Sequence, residues 1–171
     1  LPALVAQAEA LTGQLAQAYQ AKPLPEGSPT EHVYKNTYTG EWDKGRSESI
    51  HLPAAEAELS GKNPSGKQPI AIVMNGGPAS GKGTFVRNIL ASDTNIVHID
   101  ADKLKLAIPE FEELKRTDTP NAAARVQKES AHIGKVLFTE AVDRKLDLLY
   151  DRVEADAKTL KYLRDNGYYV K

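Results

Sequence analysis

Six residues, Ile70-Ala71-Ile72-Val73-Met74-Asn75, run from Pro69 straight into Gly76-Gly77-Pro78-Ala79-Ser80-Gly81-Lys82-Gly83-Thr84. A short apolar run bounded by turn signals suits a strand covered on both faces, as in a parallel sheet. Residues 84–91 (TFVRNILA) then carry a helical pattern. Gly76, Gly81 and Lys82 satisfy the spacing GxxxxGK in the strand–loop–helix context that the motif requires. Small residues let backbone N–H groups curl around phosphate oxygens, and the following helix adds its unpaired N–H groups and positive end. Lys82 supplies a mobile charge toward the β and γ phosphates. The spacing does not fit a dinucleotide fingerprint.

All nine residues, Gly76 through Thr84, are therefore expected to cradle a nucleoside triphosphate, ATP or GTP. One departure bears on the metal. The hydroxyl usually found directly after the lysine is replaced by Gly83 and comes one place later, on Thr84. Mg²⁺ is then expected to rely more on water and carboxylates, with Asp100 and Thr84 as the candidate metal residues.

The surrounding pattern alternates strands and helices. Residues 95–99 and 146–150 read as further strands, and 168–170 as a fourth. Residues 102–108 begin a helix stopped near Pro109, 121–145 carry the longest helical pattern, and 154–165 are helical before Gly167. This rhythm argues an α/β fold with a parallel sheet. Before Pro69 the pattern differs. Residues 1–20 place Leu4, Leu11, Leu15 and Tyr19 at helical spacing, 21–31 carry three prolines, 32–52 resist assignment, and a short helix over 53–59 closes at Gly61. The expected organisation is an N-terminal helical arm and linker over 1–68 and a core over 69–171. Starting at Leu1, the chain is expected to lack its true N-terminus.

At 171 residues the chain can bury a core without staples. It has 22 Lys and Arg against 23 Asp and Glu, which removes a bulk basic surface and with it nucleic acid as an expected partner. The absence of Cys excludes disulfides, thiolate nucleophiles and Cys-ligated zinc. No apolar run approaches the roughly 20 residues of a bilayer span, so no membrane partner is expected and a cytoplasmic setting is.

Asp100 and Asp102 follow the second expected strand, at the sheet edge that faces ligands in open α/β folds. One carboxylate can serve Mg²⁺ while the other takes the proton of an incoming hydroxyl. Asp102 also begins a helix, so a plain N-cap is its alternative. Asp151 ends the next strand at the same edge and is a weaker candidate. His98 reads as structural. His132 lies beside Glu129 and Ser130 on a helix face that can meet a substrate. No HExxH and no close His/Asp set is visible, so no zinc site is expected.

The segments IAIVMNGGPASGKGT, NIVHIDADKLKLAIPEF and ESAHIGKVLFTEAVDRKLDLLYD together resemble the zeta toxin family of P-loop kinases. The resemblance covers residues 69–151 well and 154–170 loosely. Its first motif is shared with adenylate kinases. The ID-x-D strand end followed by a short helix and Pro109-x-Phe111 is more discriminating. Members phosphorylate a sugar hydroxyl, notably on UDP-N-acetylglucosamine, using ATP or GTP with Mg²⁺, and many are toxins restrained by an antitoxin. The resemblance implies a P-loop kinase-type parallel sheet flanked by helices. It puts phosphate binding on Lys82, the general base on Asp102, and pocket-lining residues from Ser130 toward Lys135. An acidic strand-end residue falls on Asp151. Arg46 and His51 resemble an Arg-x-x-x-x-His element of longer relatives and join Glu129, Ser130 and Asp151 as candidate substrate-binding residues. The expected partners are a small-molecule hydroxyl acceptor and an antitoxin or immunity protein.

Two departures accompany the resemblance. After Asp151 the chain reads Arg152-Val153 where Gly-Thr-Gly is usual. The family's lid arginines would fall beyond Lys171, so the core is expected to be incomplete at its C-terminus. Two rival readings remain: a nucleotide or nucleoside kinase of adenylate-kinase type, and a nucleotide-binding module without turnover.

Overall fold

The computed structural model describes residues 2–4, 6–7, 22–77, 79–152 and 156–171. Most of the helix expected over residues 1–20 and the loop residue Pro78 thus lie outside the described residues. In chain order the elements are α1 (Glu31–Tyr34), α2 (Lys44–Arg46), a π-helical turn (Ser47–His51), α3 (Leu52–Leu59), β1 (Ile70–Met74), α4 (Lys82–Ser92), β2 (Val97–Asp100), α5 (Ala101–Leu104), a 3₁₀ turn (Lys105–Ala107), α6 (Pro109–Thr117), α7 (Ala122–Arg125), α8 (Gln127–Asp143), β3 (Leu148–Asp151), α9 (Ala157–Asp165) and β4 (Tyr169–Val170). The chain divides into two compact units, Leu1–Ala55 with Leu104–Ile133, and Glu56–Lys103 with Gly134–Lys171. Among the described residues no helix is long and apolar enough to cross a membrane.

The second unit holds the expected sheet. Its four strands run in the order β2-β3-β1-β4, and every neighbouring pair is parallel. Alternation along each strand sorts side chains between two faces. Ile72 is in register with Leu149, and these two pack with Met74 against Val86, Ile89 and Leu90 of α4 and against Ile96. Val73 is in register with Tyr150 on the other face. There Phe138 of α8 stacks on Tyr150 with ring centroids 4.9 Å apart, and Tyr162 of α9 sits 5.8 Å from Phe138. The short β4 is anchored by Tyr168, whose buried hydroxyl lies 2.7 Å from Leu146 O and 3.2 Å from Ala141 O. Burial, with the nearby Asp147 carboxylate, pushes the Tyr168 phenol up.

Several expected boundaries change, among them the strand expected over 146–150, which forms as Leu148–Asp151. β2 starts at Val97 because Asp93 Oδ1 accepts the Asn95 N–H at 2.9 Å and turns the chain first. The helix expected over 102–108 breaks into α5 and the 3₁₀ turn. The helical turn does stop near Pro109, at Ala107 ahead of the extended Ile108, and Pro109 also opens α6, where its missing N–H costs nothing. The long pattern over 121–145 is interrupted at Val126, whose φ of -118° leaves the helical range, and α8 ends at Asp143.

The first unit contains the stretch that resisted assignment. α1 leads into a turn closed by an antiparallel bridge between Lys35 and Trp42. Asp43 Oδ1 then caps α2 by accepting the Arg46 N–H at 2.9 Å. Arg125 ties down the preceding turn, donating from Nε to Ser28 O at 2.9 Å and from Nη2 to Pro25 O at 3.0 Å.

Candidate active site

β1 delivers the chain to the glycine-rich loop, and α4 begins at Lys82. Gly76 has φ +147°, and a Cβ there would lie 2.7 Å from Ser80 Oγ, so a side chain at 76 meets both strain and a neighbour. Gly81, at φ +80°, supplies the left-handed residue that turns the loop into α4. Ala79 has φ +64°, an uncommon conformation for a residue with a Cβ, and such local strain gathers at functional sites. No side chain among the described residues caps the start of α4, which leaves its first N–H groups to the loop.

The result is a pocket of about 470 Å³ lined by Gly76, Gly77, Ala79, Ser80, Gly81, Lys82, Gly83 and Thr84, with Arg87 and Asp102. Backbone N–H groups, a lysine and a helix start are the donors a phosphate chain needs. Thr84 also lines the pocket, with its hydroxyl accepting from Arg87 Nη2 at 3.2 Å. A hydroxyl and carboxylate oxygens are hard donors of the kind Mg²⁺ takes. Lys82 itself is engaged: Nζ donates to Gly76 O at 3.0 Å and pairs with Asp151 Oδ1 at 2.7 Å. A larger hollow of about 760 Å³ lies in the first unit, lined by Glu26, Glu110, Asp118 and Arg125 among others. It contains none of the expected catalytic groups.

The strand ends deliver the carboxylates. Asp100 is in register with Asp151, and Asp151 with Met74, so the two carboxylates leave the same face at the same edge. The N-cap alternative considered for Asp102 falls on Asp100, since Asp100 Oδ1 accepts the Asp102 N–H at 2.9 Å. Asp102 is the second residue of α5, exposed, and on the wall of the phosphate-loop pocket.

His98 precedes Asp100 by two positions and so shares its face. Its Nε2 lies 3.7 Å from Asp151 Oδ2, is buried, and has no hydrogen-bond partner among the described residues. His98, Asp100 and Asp151 offer donor atoms that all lie within 4.8 Å of one another. The expectation of no close His/Asp set is thereby corrected: strand register assembles one from residues distant in sequence. The available signal was the i, i+2 spacing of His98 and Asp100. Arg87, also missed, lies one helical turn beyond the loop.

In the first unit the fold brings Arg46, His51 and Glu129 together. Arg46, Glu129 and Ser130 are 0% exposed and His51 1%. Arg46 donates to Glu129 from Nε at 2.7 Å and from Nη2 at 2.9 Å. It also forms a two-pronged pair with Glu110 at 2.9 and 2.6 Å, and its guanidinium lies 4.0 Å from the Tyr34 ring centroid. His51 Nε2 lies 2.8 Å from Glu129 Oε2, and Ser47 Oγ lies 3.2 Å from Nδ1. Trp42 and His132 close around the imidazole, with ring centroids 5.1 and 4.8 Å away. Burial pushes the Glu129 carboxyl up, but hydrogen bonds and charge from Arg46 and His51 outweigh it and hold the group at about 2. Burial likewise works against the Arg46 charge, yet Glu129 and Glu110 hold its pKa above the ordinary value. Ser130 Oγ turns back onto Gln127 O at 3.0 Å. Arg46, His51 and Glu129 are thus bonded to one another within their unit.

The sequence model of the family described as zeta toxin matches residues 55–171. No curated protein sequence matches the chain. A solved chain from the PezAT chromosomal toxin–antitoxin system of Streptococcus pneumoniae is similar with a TM-score of 0.66 and 24% identity, covering 76% of this chain and 56% of that one. This chain thus spans a little over half the length of that structure, and the likeness shows the fold: a parallel sheet flanked by helices. The family match takes in the phosphate loop and both carboxylate strand ends over more than half of the sequence, and on that ground the chain belongs to the zeta toxin family.

Proposed function

We propose that this protein is a kinase that transfers the γ-phosphoryl group of ATP or GTP to a hydroxyl of a sugar or nucleotide sugar, such as UDP-N-acetylglucosamine. The observation that carries the reading is the phosphate-loop pocket with Asp102 on its wall. Residues 76–84 hold the triphosphate, with every residue but Pro78 able to offer a backbone N–H, and Lys82 leaves Asp151 for the phosphates. Thr84 and Asp100 would hold Mg²⁺, which when bound would offset charge on the phosphates. Asp102 accepts the proton of the acceptor hydroxyl as its oxygen attacks the γ-phosphorus, and the bond to the β-phosphate oxygen breaks to release the nucleoside diphosphate. Arg46, His51 and Glu129 act as positioning residues within their own unit, because their polar groups are buried and bonded to one another, and Ser130 sits beside Glu129 with its hydroxyl on Gln127 O. The toxin role and an antitoxin partner are supported by family membership and by the toxin–antitoxin system of the structural relative.

The test has two parts. Calorimetry with ATP and GTP on the parent and Lys82→Ala, alongside a thermal melt, measures the loop. Loss of binding with a cooperative melt retained is expected, and equal affinity in both proteins refutes the loop's role. Nucleotide sugars, nucleosides and sugars are then screened as acceptors with labelled triphosphate. Asp102→Asn is expected to keep nucleotide affinity and lose about 10²–10⁴ in turnover. Turnover at the parental rate would refute the mechanism.

A further inference from the structure

We propose that His98, Asp100 and Asp151 form a binding site for a first-row divalent transition metal, and that Lys82 competes with the metal for Asp151. Three observations carry it. Asp100 and Asp151 are register partners on adjacent strands, and like charges placed side by side on a sheet repel unless a cation lies between them. His98 presents a buried, unpartnered Nε2 to that pair, on a side chain only 10% exposed. All three donor atoms lie within 4.8 Å of one another. Donors bound ~2.1 Å from one ion lie at most ~4.2 Å apart, so small side-chain rotations bring them onto a metal.

The donor chemistry selects the ion. An imidazole nitrogen with two carboxylate oxygens suits Mn²⁺, Co²⁺ or Zn²⁺ better than Mg²⁺ or Ca²⁺, which prefer oxygen alone. The site shares Asp100 with the Thr84 and Asp100 arrangement assigned to Mg²⁺ and differs from it in His98 and Asp151. The Lys82 ammonium, 2.7 Å from Asp151 Oδ1, supplies the local positive charge now and must yield one carboxylate oxygen to the metal. Where a triphosphate draws Lys82 away, Asp151 is released to the metal. That last coupling rests on the nucleotide-binding reading above; the metal site does not.

The experiment uses metal-free protein without nucleotide. Mn²⁺ and Mg²⁺ are titrated calorimetrically, and electron spin-echo modulation of the Mn²⁺ complex reads a directly bound nitrogen. Expected are one Mn²⁺ per chain, affinity about tenfold or more above Mg²⁺, and a nitrogen coupling. His98→Gln should abolish the coupling and weaken Mn²⁺ by at least about tenfold. Lys82→Ala should strengthen Mn²⁺ binding roughly two- to fivefold, the size of a partly exposed ion pair. Absence of nitrogen coupling in the parent overturns the site and needs no variant to be folded. Unchanged Mn²⁺ affinity in His98→Gln also overturns it, and unchanged affinity in Lys82→Ala overturns the competition. No step uses a nucleotide, so a chain that binds Mn²⁺ but no triphosphate refutes the kinase reading and leaves this one standing.

Discussion

Replacing Glu129 with Gln changes one buried charge at almost constant shape. Glu129 is bonded to Arg46 Nε at 2.7 Å, to Arg46 Nη2 at 2.9 Å and to His51 Nε2 at 2.8 Å. Burial opposes its charge, but those partners prevail, and its pKa falls from the ordinary 4.5 to about 2. At 1.36 kcal/mol per pKa unit, that drop corresponds to about 3 kcal/mol of folding stability. The sign follows from the direction. A carboxyl whose pKa is depressed by folding contributes fully above its unfolded value of about 4.3, and the contribution disappears as pH falls through the folded value. At pH 7, Glu129→Gln should therefore cost on the order of 3 kcal/mol, close to the range for breaking one partner of a buried pair. Glu110 still faces Arg46 through two bonds, which keeps the cost from rising further. Urea unfolding followed by circular dichroism, repeated from pH 7 to pH 2, measures both proteins. The gap between them should narrow from about pH 5 downward. A gap of the same size throughout that range, or none at pH 7, would refute the electrostatic account of this cluster.

Two further substitutions probe the second unit. Gly76→Ala forces a side chain onto a φ of +147° and against Ser80, and should cost about 1–3 kcal/mol, seen as a lower melting temperature with weakened triphosphate binding. An unchanged melt would mean that the loop re-forms freely. Tyr168→Phe removes the phenol donor from Leu146 O, while Ala141 O keeps the Leu146 N–H, and should cost about 1–2 kcal/mol in urea unfolding, with β4 the first segment to lose amide-exchange protection. Parental stability would show that water replaces the hydroxyl.

Much of the second unit was legible because its signals are local. Apolar runs at 70–75 and 146–150 had no other way to be buried than as covered strands, and the alternation with helices left a parallel sheet as the economical arrangement. Pro109 serves two purposes: the restricted residue before it closes the preceding turn, as read from the sequence, and its own fixed φ opens α6, which was not. Residues 32–52 carry no periodicity because their structure comes from side chains finding distant partners. Arg46, buried against Glu110 and Glu129, reads in sequence like any surface arginine.

The phosphate loop closes on itself within nine residues, so its shape depends on where glycine and lysine fall along the chain, and the sequence by itself determined it. The grouping of His98 and Asp100 with Asp151 was decided by the tertiary structure alone. A shift of one residue in the β2–β3 register would turn Asp151 to the opposite face, and nothing in the spacing of these residues sets that register. The same holds for Glu129 and Arg46. Neither charge can be buried alone, and only the packed fold brings each the partner that makes its burial affordable.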